Sequence, residues 1–133
     1  SNPIGWLVWH LTRVRDSIIS SIVDQPTIWE SQAYNAQFDL EGEVRRFTPE
    51  NVHDFDPKAA DVLVGYFNAV AGRTIEVVAA LSPDDLERLI PSGQPDRPPQ
   101  SVGSRLAVIL NDNIQHVGQV AYLRGVIRGQ GWF

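Results

Sequence analysis

Two side chains able to bind a metal or move a proton stand four residues apart in the stretch "LNDNIQHVGQ", residues 110–119: Asp112 and His116. On a helix, residues at that spacing project one above the other on the same side. A carboxylate and an imidazole are therefore offered together to whatever packs against that face. The same stretch carries Asn113; Asn113 and His116 interrupt what otherwise reads as an aliphatic seam, with Asp112 beside them.

The seam fixes the helix that positions them. Leu106, Ile109, Asn113, His116, Val120, Leu123 and Ile127 follow one another at steps of three and four, the pattern of a helix packed into a bundle. A second helix is read from "SNPIGWLVWHLTRVRDSIISSIVD", with Ser1 or Asn2 as N-cap and Pro3 at the first helical position. Leu7, Leu11, Val14, Ile18 and Ile22 form its stripe, and His10 lies on or at the edge of it. A third is predicted from about Pro57 to Leu81, with Ala60, Leu63, Phe67, Val70, Thr74, Val77 and Leu81 as its stripe. The third histidine, His53, falls in a polar turn.

Shorter elements fill the rest. Residues 25–56 are too long for a simple bundle loop, and a short helix is expected within "TIWESQAYNAQF" as part of a cap over one bundle end. "SPDDLERLI" reads as a short helix with Ser82 as N-cap and acids in its first turn. "PSGQPDRPPQ" breaks regular structure until Ser101 caps the last helix, and the Gly129 region closes that helix as a C-cap. Arg124 and Arg128 suit its C-terminal dipole.

Composition narrows the function. The chain has 133 residues, enough for one domain spanning 1–133, and a net charge of −5 with a single lysine, Lys58. Nucleic acids and anionic membranes reward clustered basic charge, which is missing. With no cysteine, disulfides, thiolate-ligated zinc and a cysteine nucleophile are excluded. The longest apolar runs read as shorter than a membrane span, and no secretory leader opens the chain. The expectation is a soluble, cytoplasmic protein. The chain contains no methionine and starts directly into a helix, which reads as the loss of an N-terminal segment.

Two readings of the interrupted seam are open. In one, Asp112, Asn113 and His10 or His116 hydrogen-bond across the core as a polar layer that fixes helix register. In the other, Asp112, His116 and His10 bind one metal ion, leaving a coordination position for water or substrate as catalytic zinc sites do. A di-iron bundle needs about twice as many inward carboxylates as the chain offers. Trp6 and Trp9 flank His10 as pocket walls or core, and Gln119 and Tyr122 are placed to bond a ligand or to support His116.

"NPIGWLVWHLTRVRD", "ADVLVGYF" and "LNDNIQHVGQVAYLRGVIRGQGW" resemble the DinB/YfiT-like metal-binding bundle superfamily, and within it the mycothiol-transferase-like branch, over nearly the whole chain. The resemblance implies an all-α, up-down four-helix bundle in which the helix at Pro3 is the family's second and its first is absent. It implies a divalent metal, zinc or nickel, held by His10, Asp112 and His116. The usual pair on the last helix is His-x-x-x-His or Glu-x-x-x-His; with aspartate, the metal sits closer to that helix or Asp112 orients a water instead. The implied activity is transfer of a low-molecular-weight thiol of the mycothiol or bacillithiol kind to an electrophilic small molecule. A non-catalytic metal-binding or structural bundle and a metal-dependent hydrolase are the alternatives. A homodimer is expected, because three apolar stripes without a fourth helix leave one face to be covered.

Overall fold

The computed structural model describes residues 3–38, 52, 55, 60–92 and 95–129. Three long helices carry it: α1 (Ile4–Ile22), α4 (Ala60–Ala80) and α5 (Val102–Arg128). Between the first two lie single-turn helices α2 (Ile28–Ser31) and α3 (Tyr34–Gln37). A 3-10 turn at Asp84–Glu87 leads into β1 (Leu89–Ile90), which pairs antiparallel with β2 (Gln100–Ser101) in the register Leu89–Ser101 and Ile90–Gln100.

Helix α1 is the centre. Ser17 is its only exposed residue, and a helix covered on nearly every side has to lie between partners. Both α4 and α5 pack on it. Its expected stripe holds, with Leu7, Leu11, Ile18 and Ile22 buried. Pro3 serves as N-cap, one position before its expected place, while Ser1 and Asn2 lie outside the described residues.

Two hydrophobic clusters result. One gathers Trp6, Leu7, Trp9, Ile28, Trp29, Phe38, Phe55, Leu63, Tyr66 and Val70, with Val120 and Leu123 packed against it. The other gathers Ile18, Ile19, Ile22, Ile90, Val102 and Ile109, with Val14 and Leu106 at its edge. Residues 112–116 of α5 and His10 of α1 fall in the gap between the two.

A buried carboxylate that periodicity did not single out ties three elements together. Asp16 accepts from the amides of Ile28 and Trp29 at 2.9 Å each, from the Tyr66 hydroxyl at 2.8 Å and from the Ser20 hydroxyl at 3.2 Å. Buried carboxylates persist only when their lone pairs are filled in this way. The acceptor also holds the Tyr66 proton: burial first, and Asp16 beside it, push that phenol far above its ordinary range.

The sequence-derived boundaries need several adjustments. The cap region forms two single turns rather than one short helix. The "SPDDLERLI" helix shrinks to a 3-10 turn, held by mutual bonds in which the Ser82 amide donates to Asp85 Oδ2 at 2.8 Å and the Asp85 amide to Ser82 Oγ at 3.3 Å. Its remainder becomes β1, because Leu89 and Ile90 find a partner strand that no local pattern announces. Ser101 does cap α5, accepting from the Ser104 amide at 3.2 Å, and Gly129 closes it at φ 63°. Gly103 lets that first turn approach the 3-10 turn, since a Cβ there would stand 3.3 Å from the Leu86 carbonyl.

The expectation that every apolar run is too short for a membrane fails for α4, which is long and apolar enough to cross one by length and composition alone. Its alanines and valines outweigh Asp61, Asn68, Arg73 and Glu76 in any average. In this fold Leu63, Tyr66 and Val70 are buried in the cluster with Trp6, Leu7, Trp9 and Trp29, and Arg73 donates to Ser20 Oγ at 3.1 Å and to the Pro26 carbonyl at 2.7 Å. Pro57 and His53 lie outside the described residues.

Candidate metal centre

The seam of α5 is half-buried or better from Leu106 to Leu123 and fails only at Ile127, which is 73% exposed. At its middle Asn113 and His116, with Asp112 beside them, divide into two kinds. Asn113 behaves as a structural residue: its amide donates to the Ile109 carbonyl at 2.7 Å, and its oxygen accepts from Arg15 Nη2 at 2.7 Å. Arg15 in turn lies 5.1 Å over the Phe67 ring, so Asn113 and Arg15 link all three long helices.

Asp112 makes no such bond. Its Oδ1 stands 3.5 Å from His116 Nε2 and 3.9 Å from His10 Nε2, and the second of these is beyond hydrogen-bond range. Its Oδ2 is buried with no hydrogen-bond partner among the described residues. One ligand atom from each of His10, Asp112 and His116 lies within 4.8 Å of the others. A tetrahedral ion with bonds of about 2.0 Å sets its ligand atoms about 3.3 Å apart. The Asp112–His116 pair is close to that spacing, and His10 is the side chain that has to close.

The ring orientations are held from outside the cluster. Trp6 stacks on His10 with centroids 4.8 Å apart and planes 13° from parallel. Trp9 instead enters the core, against Trp29 and Phe55. His116 meets His10 edge-on, with centroids 4.9 Å apart, and its Nδ1 lies 2.8 Å from Gln119 Oε1. Tyr122, the other candidate, is 73% exposed and takes no part.

Electrostatics favour a cation here. Burial lowers the His10 pKa below its ordinary value of 6.5 and outweighs the opposing pull of Asp112, with His116 adding to the lowering. A neutral imidazole is the form that binds metal. It is also one that gives Asp112 no compensating charge. An orphaned carboxylate oxygen, two imidazoles and a half-buried setting fit a divalent ion of the borderline kind.

Comparison with known proteins gives the family. A profile of the DinB superfamily matches residues 1–120. The chain belongs to the DinB superfamily. A solved DinB-like fold agrees: the crystal structure of a conserved protein from Enterococcus faecalis superposes with a TM-score of 0.83 at 26% identity, covering 97% of this chain and 77% of that one. No curated protein matches the chain. The DinB resemblance in the sequence pointed to His10 and the Asp112–His116 pair, and the fold brings those three together; it pointed to neither Asp16 nor Arg15. Arg15 interrupts a mostly apolar face beside Leu11, Ile18 and Ile19, whereas Asp16 lies among Thr12, Arg13 and Ser20, so no pattern marked it.

Proposed function

We propose that His10, Asp112 and His116 hold one divalent ion, zinc or nickel, and that this DinB protein transfers a low-molecular-weight thiol to an electrophilic small molecule. The observation that carries the metal reading is the Asp112 carboxylate, half-buried, facing two histidines and hydrogen-bonded to nothing described. A polar layer serving only helix register would satisfy that carboxylate, as Asp16 and Asn113 are satisfied.

A divalent ion bound there supplies Lewis acidity, lowering the pKa of a thiol brought to the site. The chain's own residues orient the imidazoles. Trp6 stacks on His10 and sets its plane, and Gln119 bonds the far nitrogen of His116. The sulfur has to be external, because the chain has no cysteine. A reducing cytoplasm, which keeps small thiols reduced, suits this reading.

The working unit of this proposal is a homodimer. Leu110, Ile114 and Val117 are exposed at steps of four and three along α5, and Ile114 and Val117, with Gly118 and Ala121, border a shallow apolar groove beside Asn113. Val64, Ile75 and Val78 are exposed on α4. Covering such a surface is favourable by roughly 25 cal/mol per Å².

The test is conjugation of a small thiol to an aryl halide by zinc- or nickel-loaded protein. Turnover that needs both metal and thiol, and that disappears in His116→Ala, supports the proposal. Metal binding without turnover across a panel of thiols and electrophiles supports the non-catalytic alternative.

A further inference from the structure

We infer that Gln119 is a positioning residue: it fixes the tautomer of His116 so that Nε2 is left bare toward Asp112 and His10. The inference rests on the metal reading only for its purpose. Its geometry stands by itself.

A neutral imidazole has one N–H donor and one bare nitrogen. Gln119 Oε1, an acceptor, lies 2.8 Å from His116 Nδ1. Two lone pairs at that distance repel, so with Oε1 toward the ring the proton belongs on Nδ1, which donates to Gln119. Nε2 then carries a lone pair, and 3.5 Å away is Asp112 Oδ1, which carries lone pairs only. Electron-rich atoms facing one another in a half-buried gap call for a cation between them.

The opposite arrangement gives a different protein. With its amide turned over, Gln119 would donate to Nδ1, the ring proton would move to Nε2, and that N–H would point at Asp112. The ligand position would be filled by a hydrogen bond and the site would become a closed polar layer. The amide orientation of Gln119 and the tautomer of His116 are therefore coupled, and the arrangement with Oε1 toward Nδ1 is the one that leaves Nε2 bare. Gln119 sits three residues after His116 on the same helix, where side chains are neighbours, and it is exposed, so it can be replaced without disturbing the core.

Its replacements separate orientation from structure. Glutamate offers only acceptors and supports only the Nδ1–H form, whereas leucine supports neither form. Long-range proton–nitrogen NMR correlations of the metal-free protein at mildly alkaline pH report the tautomer directly, with His116 assigned by its loss in His116→Gln. Zinc affinity is measured in parallel by competition with a chelator.

The expected results are an Nδ1–H tautomer in the wild type and in Gln119→Glu, with zinc affinity in the variant equal or tighter. Gln119→Leu should lose that preference and bind zinc about tenfold more weakly, the low end of the range for residues that orient metal ligands. An Nε2–H tautomer in the wild type overturns the inference, as does a Gln119→Leu variant with tautomer and affinity unchanged. An Nδ1–H wild type that takes up no zinc leaves the Gln119 assignment standing and overturns the metal reading instead.

Discussion

Asp112 Oδ1 faces His116 Nε2 across 3.5 Å, and the other oxygen of the same carboxylate is buried without a partner among the described residues. The pair is adjacent but not bonded as a structural pair would be. Replacing Asp112 with Asn keeps its size and removes the charge that offsets a divalent ion. The expected outcome is zinc affinity reduced by at least the roughly 10- to 100-fold typical of lost supporting residues, with the metal-free protein unchanged or stabilised, because a buried unpaired charge is gone. Chelator competition and thermal melts on the two proteins check both halves.

Acid should weaken the metal-free fold through His10. Its folded pKa lies below the ordinary 6.5 because of burial, so near and below that pH the unfolded chain binds a proton that the folded chain refuses. The stability from this residue is complete above about 6.5 and is lost as pH falls through the folded pKa. Urea melts of the apo protein should give rising stability from acid to neutral pH. His10→Asn should flatten that rise, and an equal slope in the variant would count against the assignment.

Fold stability depends on a different carboxylate. Asp16→Ala strands two amides and the Tyr66 hydroxyl in the core, an expected loss of about 3–5 kcal/mol. Tyr66→Phe removes a single bond to a charged acceptor and should cost about 1.5–3 kcal/mol. Denaturant unfolding of the two single variants and the double variant should show strong coupling. Additive losses would mean that the two side chains do not share one network.

How much of this was legible depended on where each residue finds its partner. Seams at steps of three and four located α1, α4 and α5, since a long helix buries a periodic stripe whatever packs on it. The same count placed His116 on the inward face and His10 on or at its edge, the four-residue spacing set Asp112 on the side of His116, and the family resemblance joined the three. Asp16 sits on α1 as another charge in an apolar helix, but its partners are the amides of Ile28 and Trp29 and the hydroxyl of Tyr66, 12 to 50 residues away. No spacing rule reaches that far. The Leu89–Ile90 strand was hidden for the same reason, as two residues show no period. That Asn113 would be satisfied and Asp112 not turned on the reach of Arg15 from the facing helix.

Self-association should follow from the exposed row on α5. Ile114 is 71% exposed and Val117 50%, so Ile114→Lys combined with Val117→Lys places two charges on the groove at no cost to the core. Sedimentation should give a dimer for the wild type and a monomer for the double variant, with unchanged helicity. A monomeric wild type at micromolar concentration would contradict the homodimer.

The central claim is that three side chains, from two helices, bind one ion. Calorimetric titration of zinc into the metal-free protein, run beside His116→Ala, tests it most directly. The expected result is one ion per chain in the wild type and no saturable uptake in the variant. No uptake by the wild type, or equal uptake by both, would contradict the claim and return Asp112, His10 and His116 to a polar layer without a ligand.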